Sequence, residues 1–156
     1  MPAVIHNTPS GLIPKELFEE EKIQEYGRIL FGNTQDEQIG KDDLNTFFLL
    51  YPIHKEKDTI HEITVMYHNL QKKFPNQAQA ICINVYENGF NLLVLKDQNI
   101  AYSGYYQITV KEDIVYHLAN ITQRFFANVS QTAFFYQHIS PTVLQFLDKY
   151  FEINKL

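Results

Sequence analysis

The stretch from Ala78 to Phe151 constrains the fold more than any other part of this sequence, because its apolar residues change period in a defined order. Three runs of strand character are separated by two short polar turns. A helical stripe, a fourth apolar run and a second helical stripe follow. The predicted strands are Ala80–Tyr86, Phe90–Lys96, Ile100–Ile108 and Thr132–His138. This order predicts an antiparallel meander of three strands, joined by a crossover helix to a buried fourth strand.

Short polar segments mark the ends of these elements. Glu87–Gly89 and Asp97–Asn99 are predicted as tight turns, and the Asn-Gly pair in the first favours positive φ angles. Thr109–Glu112 has the spacing of a capping box, which predicts a helix start. Ser140-Pro141 predicts the start of the last helix. The two predicted helices have apolar stripes of Ile114, Leu118, Ile121 and Phe125, and of Leu144, Leu147 and Phe151.

The first 77 residues show a less regular pattern. The sequence predicts a short strand at Ala3–His6, a Glu-rich helix from Pro14 to Gly32, a polar loop at Asn33–Asp43, a buried strand at Thr46–Tyr51, and a helix capped by Asp58 and ended by Pro75. We find no internal repeat and no tract of low complexity.

Three segments resemble a bacterial family known as domain of unknown function 3822. They are Leu12–Lys22, Asn84–Asp97 and Glu112–Leu118, and the wider resemblance covers Lys15–Leu30 and Ile60–Phe151. The resemblance implies an actin-like ATPase (ribonuclease H-like) fold without an established activity. Members of the family carry a further meander before the Leu-Ile-Pro segment, so the N-terminal portion is expected to be missing or shortened here.

We therefore predict an α/β protein built on a ribonuclease H-like/actin-like ATPase half-domain, with a mixed sheet whose three-strand antiparallel meander is followed by α-β-α. One domain is expected over residues 1–156. Residues 78–156 would be the half-domain, and residues 1–77 an irregular α/β portion that is the remnant of a first lobe.

The resemblance also assigns a position for a phosphate loop. Actin-like ATPases use an Asp near the end of the first strand to hold a Mg²⁺-bound water, followed by glycines and hydroxyl residues that admit phosphate. The corresponding positions here are Asn84, Tyr86, Glu87, Asn88 and Gly89. Asn84 replaces the Asp, and Glu87 adds a negative charge that would repel phosphate. We interpret this as a degenerate phosphate loop.

The sequence also lacks the residues that nuclease and zinc-protease chemistry require. Ribonuclease H-like nucleases need a carboxylate in the first strand, and Ala80–Tyr86 contains none. His61-Glu62 begins like a zinc-protease helix, but Val65 stands where the second histidine would be. The single cysteine, Cys82, lies in an apolar run that favours a buried thiol. We expect no enzyme activity, no catalytic residue, no metal and no cofactor.

Charge and hydropathy argue against two classes of partner, nucleic acids and membranes. The net charge is −5, from 13 Lys+Arg and 18 Asp+Glu, which argues against binding nucleic acid through its phosphates. No apolar run approaches the ~20 residues of a membrane span, and no signal peptide is visible, so a cytoplasmic protein is expected.

Two functions remain. The first is a non-catalytic scaffold or protein-interaction module, self-associating as a homodimer or bound to an unknown protein partner. Its surface would contain the aromatic residues Tyr102, Tyr105 and Tyr106, although core packing explains such residues as well. The second is a nucleotide-responsive actin-like protein whose ATP cleft is completed by a partner or a missing lobe.

Overall fold

Ten strands and four α-helices make up the part of the chain that the structure describes. The computed structural model describes residues 8–32, 38–53, 59–126 and 132–156, and the backbone of residues 3–5. In chain order the elements are β1 (Ala3–Ile5), β2 (Gly11–Pro14), α1 (Ile23–Phe31), β3 (Gln38–Leu44), β4 (Phe47–Ile53), β5 (Thr59–His61), α2 (Glu62–Lys73), β6 (Ala80–Val85), β7 (Gly89–Lys96), β8 (Asn99–Gln107), α3 (Glu112–Phe125), β9 (Ala133–Tyr136), α4 (Pro141–Leu147) and β10 (Ile153–Lys155).

The larger sheet has five strands in the order β10-β9-β6-β7-β8. β6, β7 and β8 form an antiparallel meander, and β9 pairs in parallel with β6 after the crossover through α3. The predicted meander, crossover helix and fourth strand are therefore confirmed. β10 was not predicted; it is only three residues long and gains its strand conformation by pairing in parallel with β9.

Apolar side chains cover both faces of this sheet. On one face Cys82 and Leu93 pack with residues of β4 and α2 such as Leu49 and Ile63. The opposite face packs against α3 and α4. Neighbouring residues of β9 point to opposite faces, Phe134 to the α3 side and Phe135 to the α2 side, as the prediction of a strand covered on both faces requires.

The first part of the chain adds two small sheets. β2, β4 and β3 form an antiparallel sheet in that order, and β1 pairs in parallel with β5. The core on the α2 side contains residues from both sides of position 77, while the division into a first-lobe remnant and a half-domain stays a prediction.

The predicted loop Asn33–Asp43 is wrong from Gln38 onward. Residues 33–37 lie outside the described part, but Gln38–Leu44 pairs with β4 over seven residues. This strand is mainly polar and buries Ile39 and Leu44 while its other side chains are exposed or half-buried. The polar majority concealed the strand, whose conformation depends on pairing with the apolar β4.

The predicted end of the apolar strand before Pro52 is also wrong. β4 continues to Ile53 and includes Pro52. β2 pairs with β4 only as far as Leu50, so Pro52, which has no N–H, lies where β4 has β3 as its single partner.

The first two helices begin later than predicted. Pro14 ends β2, and two short 3-10 turns precede α1. This helix ends at Phe31 and is followed by Gly32 with a φ of 83°, so the predicted glycine stop is confirmed. The predicted cap Asp58 lies outside the described residues. α2 is capped instead by His61, whose Nδ1 accepts a hydrogen bond from the Ile63 amide at 3.1 Å.

The half-buried carboxyl group of Asp42 joins this first part to α2 through three hydrogen bonds. One oxygen accepts from the Tyr51 hydroxyl at 2.8 Å. The other accepts from the His61 amide at 2.8 Å and the Thr64 hydroxyl at 2.7 Å. Asp42 therefore connects β3, β4 and the start of α2.

Two helix-end predictions in the second half differ in outcome. The Ser140 cap is confirmed, since its hydroxyl accepts from the Val143 amide at 3.4 Å. The Thr109–Glu112 capping box is wrong, because Asp113 accepts from the Thr109 and Val110 amides at 2.8 and 3.1 Å. α4 ends at Leu147, so Phe151 lies beyond the helix and packs against Phe134.

None of the helices among the described residues is both long and apolar enough to cross a membrane.

Candidate functional site

A groove of about 600 Å³ opens at the carboxyl ends of β6 and β9. Its walls come from the β6–β7 turn, the β8–α3 connection and the β9–α4 connection. β6 and β9 are parallel neighbours at which the strand order reverses, because β6 is followed by β7 toward one edge of the sheet and β9 by β10 at the other edge. Open α/β sheets bind their ligands at such a switch point. The predicted phosphate loop borders this groove, which makes the groove the candidate site.

Asn84, at the predicted position of the ATPase aspartate, is buried and hydrogen-bonded within the protein. Its side-chain oxygen accepts from the amides of Gln137 and His138 at 3.0 and 2.9 Å. The Val85 amide also donates to the His138 carbonyl at 2.8 Å. Asn84 therefore holds the segment after β9 against the end of β6.

Tyr86 is bonded to a buried acid from the other part of the chain. Its hydroxyl donates to one carboxyl oxygen of Glu62, and the Asn91 side chain donates to the other at 2.6 Å. Glu62 is only 3% exposed. Burial, reinforced by the hydrogen bond to Glu62 and by its charge, raises the pKa of Tyr86 well above its usual value. The Tyr86 ring stacks on His138 with centroids 4.9 Å apart, so it forms a wall of the groove.

Sequence reasoning did not identify Glu62 as a site residue. An acid at the start of a helix is explained by the helix dipole alone. The apolar residues that follow it on α2 were the one available signal, because they indicate that this helix start faces the core.

The turn itself has a different geometry from the one predicted. Glu87 and Asn88 are exposed, but neither Asn88 nor Gly89 has a positive φ. The positive φ angles of the meander lie in the second turn, at Asp97 (51°) and Gln98 (65°). Gly89 is needed for close approach instead, because an added Cβ would lie 2.6 Å from the Tyr106 carbonyl oxygen.

The chemistry of the groove is mainly apolar. Its aliphatic lining consists of Val85, Ile108, Val110, Ile114, Ile139 and Val143. The charged groups on its wall are Glu87 and Lys111, and the Lys111 ammonium lies 4.6 Å from the centre of the Phe146 ring. The described residues contain no group of three or more His, Cys, Asp or Glu side chains that could hold a metal ion. Burial of Cys82 raises the pKa of its thiol far above the usual range, so it offers no thiolate nucleophile.

The three predicted interaction residues lie apart from this groove, on β8. Tyr102 and Tyr106 share a hydrogen bond between their hydroxyls at 2.9 Å, and Tyr106 stacks on Phe90. The hydroxyl of Tyr105 lies beside Gly89. All three are half-buried and line a second groove of about 580 Å³, together with Pro9 and Ser10.

Residues 2–151 match the model of a protein family described as "Protein of unknown function (DUF3822)". The chain belongs to this family. The match covers the first part of the chain as well as the meander, so both belong to the DUF3822 region.

A solved structure supplies the fold of this DUF3822 chain. A crystal structure from Bacteroides thetaiotaomicron, described as a protein with actin-like ATPase fold and unknown function, superposes with a TM-score of 0.78 at 15% sequence identity. The superposition covers 94% of this chain and 64% of that protein, so this chain spans about two thirds of its length. A comparison with curated proteins gives no match. The actin-like ATPase fold is thus confirmed, and the function of the family is unknown.

Proposed function

We propose that this DUF3822 chain is a non-catalytic module of actin-like fold that acts by binding protein. The observation that carries the proposal is the set of bonds around the degenerate phosphate loop. In an actin-like ATPase the strand-end carboxylate and the loop amides must be free to hold a hydrated Mg²⁺ and phosphate. Here the side-chain oxygen of Asn84 accepts hydrogen bonds from two backbone amides, and the Tyr86 hydroxyl donates one to Glu62.

Electrostatics supports the same conclusion. Glu87 is exposed on the turn, and the buried carboxyl group of Glu62 lies directly behind Tyr86. Lys111, which also lines the groove, lies against the Phe146 ring. Two acids close to the loop disfavour a triphosphate, whose own charge needs cations or backbone amides.

A second candidate function is favoured by the groove itself. Its volume of about 600 Å³ and its place at the switch point of the sheet suit a small ligand. A nucleotide-responsive protein would use this groove as half of a cleft that a partner completes.

Thermal unfolding of the full chain with and without Mg²⁺·ATP tests the two candidates. The non-catalytic module predicts no shift of the midpoint at millimolar nucleotide and no release of phosphate. A clear shift would contradict it. The variant Val143→Trp fills the groove from α4, and Tyr116→Ala changes an exposed residue of α3 as the matched control. A shift that Val143→Trp abolishes and Tyr116→Ala retains would establish the nucleotide-responsive alternative.

A further inference from the structure

The outer edge of β8 has no hydrogen-bonded strand in the part of the chain that the structure describes, although β2 lies in contact with β8. The Ile108 amide donates to the Asn88 carbonyl at 3.1 Å, so the backbone of Ile108 points toward the β7 side. Backbone groups alternate in direction along an antiparallel strand. Those of Tyr106 and Gly104 therefore also point to β7, while Ser103, Tyr105 and Gln107 direct their N–H and C=O groups away from the sheet.

This edge lacks charged side chains and prolines, and its β-bulge lies near the start of β8, where Val94 pairs with Tyr102 and Leu95 with Ile100. Proteins protect exposed edges with lysines, prolines or inward-pointing charges. The sequence has no charged residue and no proline from Gln98 to Val110, although the chain as a whole has a net charge of −5. Because the charges lie outside this segment, two such edges can approach without like charges facing each other.

The space beside the edge suits an extended strand. The groove of about 580 Å³ follows β8 from Tyr102 to Gln107 and is lined by Pro9 and Ser10 as well. A paired strand lies about 4.8 Å from its neighbour, and its backbone would satisfy the outward-directed groups.

We infer that β8 pairs antiparallel with β8 of a second copy of this chain, joining two five-stranded sheets into one. This inference rests on the proposed function, because it names the partner of the interaction module. A two-fold axis at Tyr105 places Ser103 of one copy opposite Gln107 of the other. These residues all direct their backbone groups outward, so each facing pair exchanges two hydrogen bonds.

Proline at an outward-directed position tests this pairing without removing a bond to β7. In Gln107→Pro the lost N–H serves the second copy and not the internal ladder. Sedimentation equilibrium of the full chain should give a dimer for the wild type and for Gln107→Ala. For Gln107→Pro the dissociation constant should rise about tenfold or more, because two hydrogen bonds are lost across the axis. Circular dichroism of each variant checks that the monomer is folded.

A cross-link gives an independent readout. Facing hydrogen-bonded residues have Cα atoms about 5.5 Å apart, which is within disulfide range. With Cys82 buried, oxidised Tyr105→Cys should form a covalent dimer on a non-reducing gel, and Tyr116→Cys on α3 should not.

The outcomes separate this inference from the proposed function. A monomeric wild type at high concentration overturns pairing with a second copy, as does a dimer that Gln107→Pro leaves intact. Neither result bears on the nucleotide test. A clear shift of the unfolding midpoint with Mg²⁺·ATP would overturn the proposed non-catalytic function and would leave the dimer in place.

Discussion

The hydroxyl of Tyr86 donates a hydrogen bond to the carboxyl group of Glu62, although the two residues are 24 positions apart in the chain. Glu62 comes from the first turn of α2 and Tyr86 from the residue after β6. The bond therefore links the helix that covers one face of the sheet to the turn at the candidate site.

Replacing Tyr86 with Phe should lower the free energy of unfolding by about 1–3 kcal/mol, because the buried Glu62 loses a hydrogen-bond donor. Urea denaturation measures the change. Tyr116→Phe is the matched control, since Tyr116 is 66% exposed and should be within about 0.5 kcal/mol of the wild type. Equal stabilities for the two variants would contradict the role of the Glu62 bond.

Alkaline pH should destabilise the protein. Burial raises the pKa of Tyr51, Tyr86 and Tyr106 above the ordinary value of 10.0. Stability from these tyrosines is complete below pH 10 and is lost as pH rises, because only the unfolded chain releases their protons. Each contributes at most about 1.4 kcal/mol per pH unit, and less for the half-exposed Tyr86 and Tyr106.

The fully buried Tyr51 gives the cleanest test of that pH dependence. Tyr51→Phe should flatten the fall of the unfolding free energy between about pH 10 and pH 11, whereas Tyr116→Phe should leave the slope unchanged. The measurement is a series of urea titrations across this range. An unchanged slope in Tyr51→Phe would exclude Tyr51 from the alkaline effect.

Asn84 should be essential for stability through its side-chain oxygen. Asn84→Ala leaves the Gln137 and His138 amides without that acceptor, and should cost about 2–4 kcal/mol. Asn84→Asp keeps an acceptor oxygen in the same place, so it should be markedly more stable than the alanine variant. If the two variants unfold at the same urea concentration, the two amide bonds are not what Asn84 contributes.

Asp42 and Asp43 should respond very differently to the same change. Asp42→Asn replaces one acceptor oxygen by a donor among three donating groups, which should cost about 2–4 kcal/mol. Asp43 is 64% exposed and pairs with Lys15, so Asp43→Asn should cost less than about 1 kcal/mol. Chemical denaturation of both variants side by side checks the difference.

Gly89→Ala should destabilise the meander by about 1–3 kcal/mol. The added methyl would meet the Tyr105 hydroxyl at 2.2 Å, which can move, and the Tyr106 carbonyl at 2.6 Å, which cannot without shifting β8. Gly89→Ala should therefore lower the free energy of unfolding nearly as much in a Tyr105→Ala background as it does in the wild type. Full recovery would show that the side chain, and not the backbone, causes the close contact.

Local patterns predicted most of the second half of this protein. Each of these patterns lies within one continuous segment, so its periodicity is visible in the sequence. They are the apolar runs of β6, β7 and β9 and the apolar stripe of α3. The Ser140 cap and the Gly32 stop were predictable for the same reason, since each acts within a single helical turn.

Elements that depend on distant partners escaped prediction. β3 is polar and becomes a strand by pairing with β4, and β10 does so by pairing with β9. At the candidate site, the resemblance predicted that Asn84 stands at the position of the ATPase aspartate, but not that two amides from beyond β9 donate to it. Glu62 was missed for the same reason, because its contact with Tyr86 joins segments that are remote in the chain.

The sequence by itself determined the order of elements in the second half, because that order depends on neighbours along the chain, and its resemblance to actin-like ATPases predicted a degenerate phosphate loop. Only the tertiary structure decided that Glu62 lies behind Tyr86, that Gly89 serves close packing and not a positive φ, and that β8 is an edge. Each of those depends on which segments, remote in the chain, are brought together when the two faces of the sheet are buried.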